Sequence, residues 1–255
     1  MAQADEPQDN QALNGALAVG DEIERLIVGI ISSQALTQDA VFEQLMSAMA
    51  VRCLNFLRAT LLLSRQGLAQ PASSCVRSLI EQRWVFEAIA AKDTRDEALQ
   101  RLQKHGEYNR KNGCKNLRAL PSNERDHRIT DKTLSQAEAT LDIDAEYHSL
   151  KNWAKMAKRN SEYLTAYALL CNRTHPTIQA IESHLLFNDS MQVKSVTAYP
   201  EIDSLHRDVL QVCEVMIDII AAGPDSWRSE GVVIEATKLR QRISKLWELV
   251  PDPLS

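Results

Sequence analysis

Glycine and proline are scarce in this chain, with eight of each in 255 residues, and aromatic side chains make up only 5%. Average usage would be roughly 7% glycine and 5% proline. A sheet-rich fold needs a turn about every 8–12 residues and favours aromatic and β-branched side chains, whereas long helices with few joints need neither. The shortage argues against a sandwich or barrel and points to an all-α class.

Other absences exclude chemistry. The five cysteines, at positions 53, 75, 114, 171 and 213, form no Cys-x-x-Cys pair and no regular framework, so reduced, mostly buried thiols are expected. No two glycines stand two residues apart, which excludes the dinucleotide fingerprint and the P-loop. Gly-x-Ser-x-Gly and His-Glu-x-x-His are missing, and the one Glu-x-x-His, Glu124 to His127, falls in a predicted loop. No resident metal or cofactor is expected. None of the six histidines follows an arginine with four to six intervening residues, a spacing found in one class of helical ribonucleases. The chain opens Met1-Ala-Gln-Ala-Asp-Glu, acidic where a secretory signal would be basic, and purely apolar stretches are short. The expectation is a cytoplasmic protein that does not enter a membrane.

The net charge of -5 argues against generic coating of DNA. That charge is unevenly spread. Residues 1–50 carry eight acids against Arg25 alone, while residues 101–132 carry nine bases against four acids. The basic stretch reads either as a solvated helix face or as a patch for nucleic acid or another polyanion.

What is present is sustained helical periodicity. Apolar residues recur at i, i+3, i+4 over 13–33, and again from Val41 to Leu61 with Thr37 as the cap and Gly67 as the stop. Pro71 opens a third helix over 72–91, and Thr94 a fourth that frays at Gly113. Residues 113–130 read as the most loop-like interior segment. Further helices are predicted at 131–141, 145–158, 161–174, 176–187, 201–222 and 231–249, with 188–200 as loop. The result is a bundle of about eight to ten helices. One helical domain over 1–255 is expected, with helices 13–67 packed on a core of 68–187 and a C-terminal pair over 200–249.

The third helix carries the most unusual pattern. At 100° per residue, Val76, Leu79, Ile80, Phe86 and Ala90 share a face that also contains Arg83 and Glu87, while Arg77 and Glu81 lie on another side beside Trp84. Both ion pairs are spaced i, i+4 and can close within the helix. A helix apolar on most of its circumference is central, and ions there must be paired. Downstream, Tyr163, Tyr167, Cys171 and His175 form a stripe spaced by four, and Pro176 ends the helix at His175. Buried tyrosine hydroxyls and imidazoles need partners, and the ions of the third helix are natural ones. Arg77, Glu81, Tyr167 and His175 are therefore the candidate site.

Arg77-Ser-Leu-x-Glu81, then Trp153, then Tyr163, Tyr167 and His175-Pro176 together resemble a bacterial family of helical proteins of unknown function, over about residues 50–187. Cys171 stands where that family has a serine. The resemblance implies an all-α fold and that these positions belong together, and it implies no reaction. Two functions fit. One is a helical binding or regulatory module, compatible with a homo-oligomer, whose polar cluster fixes helix register. The other is a hydrolase or nuclease-like toxin acting on a phosphodiester, with Glu81 or His175 as general acid/base and Arg77 stabilising an anion.

Overall fold

The apolar periodicities close into ten α-helices among the described residues, of which 80% are helical. The computed structural model describes residues 8–33, 40–126, 128–140, 146–174, 185–188, 190–196 and 205–250. In chain order the helices are α1 (Gln8–Ser32), α2 (Val41–Arg65), α3 (Ala69–Ala90), α4 (Arg95–Ala119) and α5 (Asp131–Ala139). They continue with α6 (Leu150–Met156), α7 (Asn160–Leu164), α8 (Ala166–Thr174), α9 (Leu205–Ala222) and α10 (Glu230–Trp247). Two strands, β1 (Leu185–Phe187) and β2 (Val193–Val196), pair antiparallel.

Helix α3 sits at the centre. It packs on α2 and α9 to one side and on α8, α6 and α4 to the other, while α1 lies across α9, α10 and α2. Val76, Leu79, Ile80, Trp84, Phe86 and Ile89 of α3 are fully buried, and the main core cluster joins them to side chains of the helices on both sides. Each such side chain taken from water stabilises the fold by about 1.5–3 kcal/mol. Thiols share this core: burial pushes Cys53 up to about 12 and raises Cys213 as well, so both stay protonated. All five cysteines are free.

The turn that delivers α3 is built from backbone bonds around Gly67. Leu68 N donates to Leu63 O at 2.9 Å and Gly67 N to Ser64 O at 3.0 Å, the paired bonds that close a helix C-terminus through a left-handed residue. Gly67 has φ +70, a conformation that costs other residues about 1–2 kcal/mol. The next joint works differently. Thr94 precedes α4 but its side chain does not cap it; the hydroxyl instead donates to Ala88 O at 2.7 Å, closing the end of α3.

Three acids of α1 pair with its neighbours. Glu24 pairs with Arg58 and Asp21 with Arg65 on α2, and Glu22 pairs with Arg242 on α10. In α2, 25 residues are long and apolar enough to cross a membrane by length and composition. Met46, Ala50, Cys53, Leu57 and Leu61 are buried within the protein, whereas Val41, Val51 and Leu62 of the same helix are exposed.

Several boundaries differ from the sequence reading. Helix α4 does not fray at Gly113 but runs on to Ala119; one interior glycine costs about 1 kcal/mol, and buried Cys114 helps hold the helix past it. The loop-like segment thus starts at Leu120. Helix α6 starts at Leu150 rather than 145, because Ser149 caps it by accepting from Asn152 N. The helix expected over 161–174 is two, broken at Thr165 with φ -117 and ψ -94. Residues 185–187, expected to end a helix, form β1, and 193–196, expected as loop, form β2. Asn188 holds that hairpin, its side-chain oxygen accepting from Ser190 N and Gln192 N. All of β2 is exposed, so it lacks the alternation that would have marked it as a strand. Ala40 precedes α2 and offers no side-chain cap. Thr37, the cap expected there, lies outside the described residues, as do 175–184, the start of the helix expected over 176–187.

Residues 146–149 are tethered to α4 by two histidines. His148 N donates to His105 Nδ1 at 3.1 Å, and the Arg101 guanidinium donates to His148 Nδ1 at 2.9 Å. Both bonds require a neutral imidazole. Burial lowers His105 and His148 below the usual 6.5, with the Arg101 charge adding to the effect on His148. The unfolded chain therefore binds more protons than the folded one as pH falls below the usual histidine value. The stability this tether provides is full above about pH 6.5 and is lost as pH falls through the depressed folded values. Melting temperatures from pH 7.5 to 5 should fall less steeply for His105→Gln, whose amide oxygen still accepts from His148 N, than for the wild type. Equal slopes would contradict this.

Candidate functional site

Two polar groups meet along α3. In the first, the Tyr167 hydroxyl donates to Glu81 Oε1 at 2.7 Å and Arg77 Nε lies 3.4 Å from the same oxygen. Arg77 Nη1 donates to Thr174 Oγ1 at 3.0 Å, which ties α3 to the last residue of α8. The Arg77 and Glu81 side chains are 26% and 21% exposed, so this group reaches solvent. Burial, and then the bond to Glu81, raise the Tyr167 phenol far above its usual range, so it stays protonated and acts as a donor. Arg77, Glu81 and Tyr167 thus share one cluster. His175, the fourth candidate, lies outside the described residues. Thr174, which sequence reasoning did not single out, stands directly before it.

The second group surrounds Arg83, which is 3% exposed. Its guanidinium donates to Asp218 Oδ2 at 2.9 Å and to Glu162. Glu87, its i+4 neighbour, stands 4.0 Å from Arg83 Nε and is gripped instead by Arg159, through two parallel bonds of 3.0 and 2.7 Å. That fork, first through its hydrogen bonds, raises Arg159 above the usual guanidinium value. Asp218 also accepts from Arg159 at 3.0 Å and, on its other oxygen, from Arg240 at 2.8 Å. Three arginines from three parts of the chain converge on one carboxylate.

Trp84 joins the two groups. Its indole donates to Glu162 Oε2 at 2.8 Å, and its ring lies 5.0 Å from Tyr167 and 5.9 Å from Tyr163. Although Thr165 breaks the helix between them, Tyr163 and Tyr167 still stack at 5.6 Å. The polar seam therefore runs from Arg77 past Trp84 to Asp218.

The Arg83 end of the seam opens into a cavity of about 360 Å³. Its charged walls are Arg83, Arg159, Arg240, Glu162, Glu214 and Asp218; Gln211 and Ser244 add neutral hydrogen-bonding groups, and Val215, Ile217 and Ile243 apolar ones. Glu214 accepts from Trp247 Nε1 at 2.8 Å, and burial raises its carboxyl above the ordinary range. Sequence reasoning missed this wall, yet a signal existed: Glu214 and Asp218 stand i, i+4 in the otherwise apolar end of α9. Among the described residues no cluster of three or more His, Cys, Asp or Glu could hold a metal ion.

No curated protein and no solved structure matches this chain. A family model does, over residues 43–192, from near the start of α2 to the residue before β2, and so over most of α3's partners. The match includes Arg77, Glu81, Arg83, Glu87, Arg159, Glu162 and Tyr167, while Glu214, Asp218 and Arg240 lie beyond it. The chain belongs to this family, the family of unknown function DUF5677.

Proposed function

We propose that the protein is a regulatory binding module that receives a small molecule in the cavity between α3, α9 and α10. The observation that carries this reading is the convergence of Arg83, Arg159 and Arg240 on Asp218 at the wall of a cavity of about 360 Å³. Small-molecule sites enclose about 300–1,000 Å³ and combine apolar walls with a few fixed polar groups. Rigid ion pairs pre-organise such a wall, which lowers the cost of ordering it around a ligand.

The wall also suggests the ligand. Asp218 already accepts from three guanidinium groups, whereas Glu214 accepts from the Trp247 indole, and a carboxylate can accept about four bonds. Arg240 is 54% exposed at the rim. A molecule with an amino group for Glu214 and an anionic group for Arg240 fits both. The binding reading is favoured over phosphodiester hydrolysis because Tyr167 and Arg77 both engage the Glu81 carboxylate, leaving it poorly placed to take a proton from water.

A thermal-shift panel of amino acids, polyamines, simple carboxylates and nucleotides tests the proposal on the full chain. Zwitterions should raise the melting temperature by about 5–10 °C at a hundredfold excess over Kd. A panel without effect, or one in which simple carboxylates match the zwitterions, would contradict it.

A further inference from the structure

Tyr147 is 56% exposed, while the adjacent His148 is 4% exposed. One side chain of this adjacent pair thus faces solvent and the other the interior, and the inward one is an anchor. His148 is fixed by Arg101 and, through its N–H, by His105, while Glu146 N donates to Lys104 O at 3.3 Å. The backbone on either side of Tyr147 is therefore pinned to α4, and its ring is held outward in one place. There it lies 5.4 Å from Tyr108 and 5.6 Å from His105, and the His105 and Tyr108 rings are nearly parallel. A half-exposed aromatic platform results, built on the helix with the chain's densest positive charge.

The charge is arranged around that platform. Lys104, Tyr108, Lys111 and Lys115 follow at i, i+4, i+7 and i+11, one face of α4 about 16 Å long. All five arginines of the basic stretch are paired: Arg101 with Glu97, Arg110 with Glu107, Arg118 with Glu138, Arg125 with Asp131 and Arg128 with Asp126. Among the described residues no ion pair involves Lys104, Lys111 or Lys115. Glu146, the acid beside Tyr147 in sequence, acts on the His148 imidazole. Lysines beside π-faces suit a polyanion whose repeating units carry flat rings.

We propose that this face of α4, with Tyr147 and Tyr108, binds single-stranded nucleic acid. Bases stack on the tyrosines, and the backbone phosphates follow Lys104, Lys111 and Lys115. The surface is separate from the cavity, so either proposal can fail without the other.

Fluorescence anisotropy of the full chain with labelled 12-nucleotide oligo(U) and oligo(dT), against a duplex of the same length, tests it. Binding should favour the single strands and weaken with salt, with log K falling against log salt at a slope of about -2 for three phosphate contacts. Tyr147→Ala should weaken binding about 5- to 100-fold, and Tyr147→Phe should keep it because stacking needs only the ring. Replacing Lys111 and Lys115 by Gln should shrink the slope by about 1.4. Equal melting temperatures of Tyr147→Ala and wild type check that only the surface has changed. No binding at tens of micromolar protein in low salt, equal affinity for the duplex, or an unaltered affinity of Tyr147→Ala would each overturn the proposal.

Discussion

Replacing Arg83 by Met should lower the unfolding free energy by about 3 kcal/mol, the lower end of the cost of breaking a buried ion pair. Methionine fills most of the space, so the loss is electrostatic. Arg83 is 3% exposed and holds Glu162 and Asp218, which are 20% and 16% exposed. Without it these carboxylates stay partly buried with fewer donors. The loss falls short of the maximum because Arg159 and Arg240 still reach Asp218, and Trp84 still reaches Glu162. Asp218→Asn should cost less in the Arg83→Met background than in the wild type, since Arg83 is then no longer there to be left without that partner. Urea denaturation of the two single variants and the double variant measures this coupling directly. Additive effects would mean that Arg83 is held by something other than Asp218.

Trp84→Ala should cost about 3–5 kcal/mol, the usual range for emptying a buried aromatic site. The ring is fully buried and packs against both Tyr163 and Tyr167, so its removal takes from α7 and α8 their aromatic contact on α3. Trp84→Phe separates packing from polarity. Phenylalanine keeps most of the volume but leaves Glu162 without the indole donor, and should cost about 1–3 kcal/mol. Comparable losses for the two variants would mean that the hydrogen bond, not the packing, dominates at this position.

Half of the polar seam was legible in the sequence. A charged residue inside the apolar arc of α3 can be read from helical spacing alone, and Arg83 and Glu87 were read so. Their preferred partners could not be. Arg83 and Asp218 are 135 positions apart, and local spacing carries no information on which distant helix supplies a counterion. The intrahelical pairing expected for Arg83 and Glu87 is accordingly weak, at 4.0 Å, because Arg159 offers Glu87 a better fork. The break at Thr165 was hidden for another reason: 161–174 keeps helical periodicity on both sides of the joint, so the pattern continues where the backbone does not. β1 and β2 are too short, and β2 too exposed, for a period of two to emerge. Gly113 shows the converse, where a breaker residue is carried by the hydrogen-bond ladder around it.

The basic stretch illustrates the limit of counting charge. Nine bases over 101–132 suggested a cationic surface, but the structure commits many of its arginines to nearby carboxylates. Charge that remains for a partner is set by geometry rather than by composition. The same holds for the acidic α1, whose carboxylates clamp α2 and α10.

The most direct test of the cavity as a binding site is Arg240→Ala, measured for melting temperature and for the thermal shift given by the best amino acid of the panel. Arg240 is 54% exposed and makes one hydrogen bond to Asp218, so its loss should alter stability by no more than about 1 kcal/mol, as for an exposed ion pair. If the cavity receives a ligand's anionic group at its rim, the melting temperature stays close to that of the wild type while the ligand-induced shift disappears. A lowered melting temperature with the shift intact would contradict the account and leave the arginine cluster with a purely structural role.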